Sequence, residues 1–261
     1  MRAGSEPSSA LPPALQVDGW RGIPGLVHGF FGRSGGVSDG AWASLNVSEQ
    51  VGDAPSAVAA NRERIGRCFP GMTWARMHQV HGVRVVRVGS ADEPIGDADG
   101  MISATRGLAL AVSTADCVPI LCVAPAAGTV MALHAGWRGT LGGVATAGLA
   151  EAEAWLGIPP AAWRVAMGPS IGGCCYEVET RIGEQLVDRW GAMPDAWYPA
   201  GIHGRLDLRA ANRAILLAHG VPASQITAVG PCTSCESHRY FSHRRSGGRA
   251  GRQLSGIGWA A

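Results

Sequence analysis

Lysine is missing from all 261 residues, so the 22 cationic side chains are every one arginine. That absence excludes Schiff-base catalysis through a lysine amine and the phosphate-binding lysine of a P-loop. Any anion must be held by guanidinium forks, helix N-termini or backbone N–H groups. Charge is scarce as well: 16% charged residues and a formal net charge of +2 argue against a nucleic-acid surface. No apolar run approaches the roughly 18 residues of a membrane span, and Met1 to Gln16 lacks the apolar centre of a signal peptide. No paired C-x-x-C motifs with finger spacing occur. The seven cysteines are odd in number and include the neighbours Cys174 and Cys175, which favours reduced thiols or metal ligands over a disulfide framework. These features set the expectation of a cytoplasmic enzyme with a flexible N-terminal tail over 1–25, a single catalytic domain over 26–261, and no membrane or nucleic-acid partner.

What is present is mostly apolar, at 46% hydrophobic residues, enough for a substantial core. The runs Leu108 to Val112 and Thr129 to Leu133 read as buried strands. Cys117 follows the first, and His134 ends the second at a glycine-rich turn. With His81 in Gln79-Val80-His81-Gly82, they form two imidazoles and a thiol, a three-ligand zinc set with a fourth position open for water or substrate. Taken singly, each is equally well explained by packing. The turn Gly136-Trp137-Arg138-Gly139-Thr140 would offer free N–H groups beside an arginine, an anion site; the alternative is a tight turn with Arg138 on the surface.

Further strands are expected at Leu26 to Phe31, Met72 to Met77, Val83 to Val88, Trp163 to Met167, Gln225 to Val229 and Leu254 to Trp259. Helices are expected from Asp53 and Pro55 onward, from Thr140 to Trp155, from Glu179 to Trp190 and from Leu208 to His219. Loose alternation of strands and helices gives an α/β domain. A rival metal set exists in Cys175-Tyr176-Glu177 with Pro231-Cys232-Thr233-Ser234-Cys235, which has the C-x-E…P-C-x-x-C form of zinc nucleobase deaminases. It lacks the helix that would present those thiols. Cys232, Cys235, His238 and His243 are also too crowded for a finger, so neither set is preferred over the first. The run Phe241-Ser242-His243-Arg244-Arg245 is either a solvated basic turn or a reach toward an anionic substrate.

Together, Gln79-Val80-His81-Gly82, Ala98-Asp99-Gly100, Thr114-Ala115-Asp116-Cys117, His134-Ala135-Gly136-Trp137-Arg138-Gly139, Gly168-Pro169-Ser170-Ile171, Cys175-Tyr176-Glu177-Val178 and Phe241 to Arg245 resemble the YfiH-type family. Its members have been called multicopper polyphenol oxidases, peptidoglycan editing factors and purine nucleoside phosphorylases. The resemblance implies a single-domain four-layer α/β/β/α sandwich, similar to bacterial toxin deamidases with a Cys-His pair. It implies zinc on His81, Cys117 and His134. Phosphorolysis of adenosine, inosine, guanosine and methylthioadenosine, with adenosine deamination alongside, is the implied activity. Gly32 departs from the family pattern, which has Thr before Arg33.

On this basis Arg138, Arg33 and the N–H groups near Gly139 are expected to hold phosphate, with Asn46 and Gln79 as further substrate contacts. Asp99 is expected to shuttle protons, and Asp116 to orient a ligand. Cu2+ is less favoured than Zn2+, because two His and one Cys cannot supply a multicopper cluster. The alternatives are a Cys117/His134 thiol hydrolase or amidase acting on a peptidoglycan precursor, and a non-catalytic zinc-binding module. The oligomeric state is left open.

Overall fold

Two stacked sheets carry the fold in the computed structural model, which describes residues 11–261. In chain order, β1 (Ala14–Leu15) and β2 (Leu26–Phe31) lead to α1 (Pro55–Gly66), with proline at its start. Then come β3 (Thr73–Arg76), β4 (Val85–Arg87), β5 (Gly100–Ser103), β6 (Leu108–Thr114), β7 (Val118–Ala124) and β8 (Thr129–Ala135). Next are α2 (Trp137–Gly142), α3 (Val144–Leu156), β9 (Arg164–Met167), β10 (Glu177–Glu179), α4 (Thr180–Trp190), β11 (Trp197–Ala200) and β12 (His203–Leu206). The chain closes with α5 (Leu208–Ala218), β13 (Ile226–Ala228) and β14 (Gln253–Trp259).

One sheet has the order β1-β2-β14-β6-β3 and the other β13-β9-β7-β8-β5-β4, with β10-β12-β11 as a small third sheet. Every residue of β7 and β8 is buried, because both faces of that sheet are covered. Side chains alternate along a strand. Leu121 and Val123 of β7, with Val130 and Ala132 of β8, therefore pack toward Leu110 and Ile257 of the five-stranded sheet. Ile120, Cys122, Met131 and Leu133 point the other way, into Val144 and Leu149 of α3 and Leu208 and Leu216 of α5. On the outer face of the five-stranded sheet, Ala109, Ala111 and Leu254 meet Ile65 of α1 and nearby Phe69. The layers run helix, sheet, sheet, helix, which is the α/β/β/α sandwich. Each large aliphatic or aromatic side chain buried in these seams contributes roughly 1.5–3 kcal/mol.

Several boundaries differ from the sequence reading. Residues 11–25 are packed instead of forming a tail: Ala14 and Leu15 pair with Phe31 and Phe30, Val17 and Trp20 are buried, and the Val17 N–H donates to His28 Nε2 at 2.9 Å. Residues 1–10 of the expected tail lie outside the described residues. The helix expected from Thr140 to Trp155 is two helices, because Gly143 adopts φ 89°, left-handed geometry that ends a helix. His134 lies inside β8, with the turn starting later, which places its ring on a rigid support. β7 has no counterpart among the expected strands. Its Pro119 sits one residue from the strand start, where a missing N–H is tolerated.

Candidate active site

Three loops or strand ends at one edge of the sandwich bring the sequence-predicted ligands together. The donor atoms of His81, Cys117 and His134 lie within 4.8 Å of one another, and the two imidazole centroids are 4.8 Å apart at an interplanar angle of 77°. The group grades from exposed His81 through half-buried Cys117 to buried His134, so one side faces solvent. Gly136 closes the opposite side: a Cβ there would sit 3.0 Å from both Cys117 Sγ and His81 Cδ2. The missing side chain leaves the space in which the three donors converge. Two neutral-capable imidazoles and a thiol with an open face fit a zinc ion of the catalytic type.

Asp99 organises this group from behind. His81 has φ 61°, a left-handed conformation that costs a non-glycine residue about 1 kcal/mol. The Asp99 carboxylate offsets it by accepting the backbone N–H groups of Val80, His81 and Gly82 at 3.2, 2.9 and 2.6 Å. Asp99 Oδ1 also lies 2.7 Å from His134 Nδ1, leaving Nε2 for the site. Burial opposes ionisation of Asp99, but the hydrogen bonds from His134 and Gly82 outweigh it and hold the carboxyl below its usual range. Asp99, expected to shuttle protons, is fully buried, and its oxygens face three amides and the His134 imidazole.

Cys117 and His134 form a coupled pair. Burial pushes the Cys117 thiol up, yet the neighbouring His134 and His81 imidazoles overcome this and bring it down to about 6. Burial pushes His134 down, while the Cys117 thiolate and Asp99 carboxylate raise it to about 9. A thiolate at neutral pH is the form that binds a metal or attacks an electrophile.

The donors open into a cleft of about 380 Å³ lined by Gln79, Arg138, Tyr176, His243, Arg244 and Arg252 among others, a volume suited to a small molecule. Arg138 is exposed, stacks its guanidinium 4.4 Å from the Trp137 ring centroid, and has no hydrogen bond or ion pair among the described residues. Arg244 stacks over Tyr176 at 4.9 Å and donates to the Glu177 carbonyl. Burial raises the Tyr176 hydroxyl to about 12, with the Cys117 charge adding to the shift. The phenol therefore remains protonated at neutral pH.

Three expected contacts fall elsewhere, and a fourth residue, Asp116, lines the cleft with its carboxylate already paired. Arg33 donates to the Ala43 and Ser237 carbonyls and stacks on Phe241, bracing loops away from the cleft. Asn46 is buried, and its amide serves Ser48, Asp53 and Arg252. Gly139 is buried where a Cβ would approach the Gly82 carbonyl to 3.1 Å; it provides close packing and does not line the cleft. The Asp116 carboxylate makes no hydrogen bond to His81, Cys117 or His134 among the described residues. At φ 91° it accepts from Thr233 Oγ1 and the Arg244 N–H at 2.6 and 2.7 Å. Gln79 does line the cleft, although its amide is paired with Ser113. Gly32 also finds its reason: a side chain there would overlap the Arg239 carbonyl oxygen. Sequence reasoning missed Tyr176, Arg252 and the committed position of Arg244. The motif Cys175-Tyr176-Glu177-Val178 contains the first and the basic turn after Phe241 the last, while no sequence signal marks Arg252.

Residues 27–260 match the model of a family described as multi-copper polyphenol oxidoreductase laccase. A purine nucleoside phosphorylase named YlmD, from Geobacillus stearothermophilus, is 41% identical over 95% of this chain and 98% of that protein. A protein named adenosine deaminase RL5, from an unknown prokaryotic organism, is 34% identical over 87% and 92%. The crystal structure of YlmD from Geobacillus stearothermophilus superposes with a TM-score of 0.87 at 38% identity, covering 96% of this chain and 100% of that one. A Bacillus licheniformis hypothetical protein, YfiH, does so at 0.88 and 31%, covering 95% and 97%. No helix among the described residues is long and apolar enough to cross a membrane.

Proposed function

The chain belongs to the multi-copper polyphenol oxidoreductase laccase family, the YfiH-type family, and from that premise we propose that it is a zinc-dependent purine nucleoside phosphorylase with adenosine deaminase activity. Its substrates in this reading are adenosine, inosine, guanosine and methylthioadenosine with inorganic phosphate. The observation that carries it is the juxtaposition of a His-Cys-His donor set with unpaired cationic Arg138 in one small-molecule cleft. The names of the relatives add the substrate class.

Zinc on His81, Cys117 and His134 would supply Lewis acidity at the open face. The chain's own groups do the rest. Arg138, with Arg244 and Arg252 nearby, holds the phosphate dianion against C1′ of the nucleoside. The phosphate oxygen bonds to C1′ as the glycosidic C–N bond breaks and its electron pair leaves with the purine. The Tyr176 hydroxyl, protonated at neutral pH, donates a hydrogen bond to the departing base. Asp99 is a positioning residue, acting through His134 and the His81 loop. Donor chemistry favours zinc over copper, since a multicopper cluster asks for more imidazoles than this cleft presents.

A second reading rests on the lowered Cys117 thiol and raised His134 backed by Asp99. That is a Cys-His-Asp arrangement able to act as a metal-free thiol hydrolase or amidase, for instance on a peptidoglycan precursor. Iodoacetamide treatment after zinc removal separates the two, because turnover by metal-free protein that alkylation abolishes supports the thiol route. The direct test incubates zinc-loaded protein with adenosine, with and without phosphate, and separates adenine, ribose 1-phosphate and inosine. Adenine and ribose 1-phosphate appearing only with phosphate support the proposal. No turnover of any of the four nucleosides leaves a non-catalytic zinc-binding module and overturns it.

A further inference from the structure

Outside the cleft, four cysteines from two distant loops meet. Cys174 and Cys175 follow β9, in a turn where the Cys175 N–H bonds the Gly172 carbonyl. Cys232 and Cys235 follow β13. The four sulfurs all lie within 4.8 Å of one another, with Cys174 Sγ and Cys235 Sγ 3.7 Å apart and Cys175 Sγ and Cys235 Sγ 3.4 Å apart. Disulfide sulfurs are bonded at about 2.0 Å. Tetrahedral zinc at about 2.3 Å from each thiolate sets the S···S edges near about 3.8 Å. The two close separations, 3.7 and 3.4 Å, lie near that edge, and with all four sulfurs within 4.8 Å of one another the group can supply four thiolates to one ion.

We infer that Cys174, Cys175, Cys232 and Cys235 form a second, structural zinc site of the four-thiolate type. Its surroundings suit thiolates: the Gly172 N–H points at Cys232 Sγ at 3.3 Å, a backbone donor of the kind that accompanies metal-bound sulfur. The two loops are already aligned by the Ser170–Cys232 bridge and the Thr233 N–H to Ser170 carbonyl bond. Each loop also carries a wall of the active cleft. Tyr176 is the residue after Cys175, and Thr233, next to Cys232, bonds the carboxylate of Asp116 beside Cys117. Arg245 donates to the carbonyls of Thr233 and Ser234. Zinc displaces the thiol protons to solvent and clips residues 60 and 61 positions apart, so the ion holds the Tyr176 wall against the Asp116 wall. The site is distinct from the His-Cys-His set and shares no ligand with it.

The test measures metal content of the full chain, purified with reductant and dialysed with a trace of zinc. Wild type is expected to hold about two equivalents, and Cys235→Ser and Cys174→Ser about one each. His81→Ala also holds about one, and H81A/C235S none. The His81→Ala loss reports on the catalytic site alone, so failure of the nucleoside reading and failure of this one are told apart. Cobalt-substituted wild type needs no variant: it should show the intense thiolate-to-cobalt charge transfer of a four-sulfur site, retained in His81→Ala. Zinc content unchanged in both cysteine variants, no four-sulfur cobalt signature, or a disulfide within this cluster in the reduced preparation would each overturn the assignment.

Discussion

Asp99 Oδ1 and His134 Nδ1 are 2.7 Å apart in a region where the two side chains are 0% and 3% exposed. The contact fixes the tautomer of His134 and the orientation of its free nitrogen. A histidine ligand backed in this way loses about 10–100-fold in metal affinity when the backing group is removed. Asp99→Asn is therefore expected to weaken zinc binding at the His-Cys-His site by that factor, read by competition with a chelator. Unchanged affinity would show that His134 is oriented by packing alone.

Gly136 makes a sharper probe, because its φ of −74° suits alanine and only space is at issue. Gly136→Ala places a methyl 3.0 Å from the Cys117 sulfur and the His81 ring. Zinc affinity should fall about ten-fold or more, with stability changed by no more than about 1 kcal/mol. Gly168→Ala is the control: its methyl would overlap the Phe30 ring, costing about 1–3 kcal/mol without touching zinc affinity. Chemical denaturation and metal titration on the pair give the comparison.

Arg138 and Arg33 should part company. Arg138→Ala is expected to raise KM for phosphate about ten-fold, as one charge-assisted contact of about 1.5 kcal/mol is lost, with the melting temperature unmoved. Arg33→Ala should lower stability by about 1–2 kcal/mol, since two carbonyls lose their donor, and leave KM for phosphate alone. The opposite pattern would return Arg33 to the phosphate site.

His28 supplies a pH dependence of folding. Burial, helped by Arg21, lowers it from 6.5 to about 4, and its neutral Nε2 accepts the Val17 N–H. The unfolded chain then binds the proton more readily than the folded one. Its contribution to stability is full above pH 6.5 and lost as pH falls toward 4, a change of roughly 3 kcal/mol. His28→Gln should flatten that part of the stability profile in urea titrations between pH 7 and 4; an unchanged slope would place the effect in other groups.

His81 lies in a bend between β3 and β4 and is legible in the sequence through the Gln79-Val80-His81-Gly82 motif, while Cys117 and His134 are legible because they adjoin apolar runs that form strands. Leu26–Phe31 was legible for the same reason. The roles of Asp99, Arg33 and Asn46 were not, since nothing in local spacing shows that a carboxylate will face three amides of a loop 17–19 residues away, or that a guanidinium will cap a carbonyl 204 residues off. The break at Gly143 was hidden among neighbouring glycines, any of which packs closely on a sheet. Cys175, Cys232 and Cys235 are legible as a rival metal set, but with Glu177 as the fourth member; that Cys174 completes the group instead depends on how two distant loops meet, which local spacing does not show.

The most direct test of the account is an anomalous difference map collected at the zinc edge from crystals of zinc-loaded protein. A peak is expected about 2.0–2.3 Å from an imidazole nitrogen of His81, the sulfur of Cys117 and the free nitrogen of His134, with no fourth protein ligand. Density at the four-cysteine cluster alone, or a fourth side chain closing the His-Cys-His site, would contradict it.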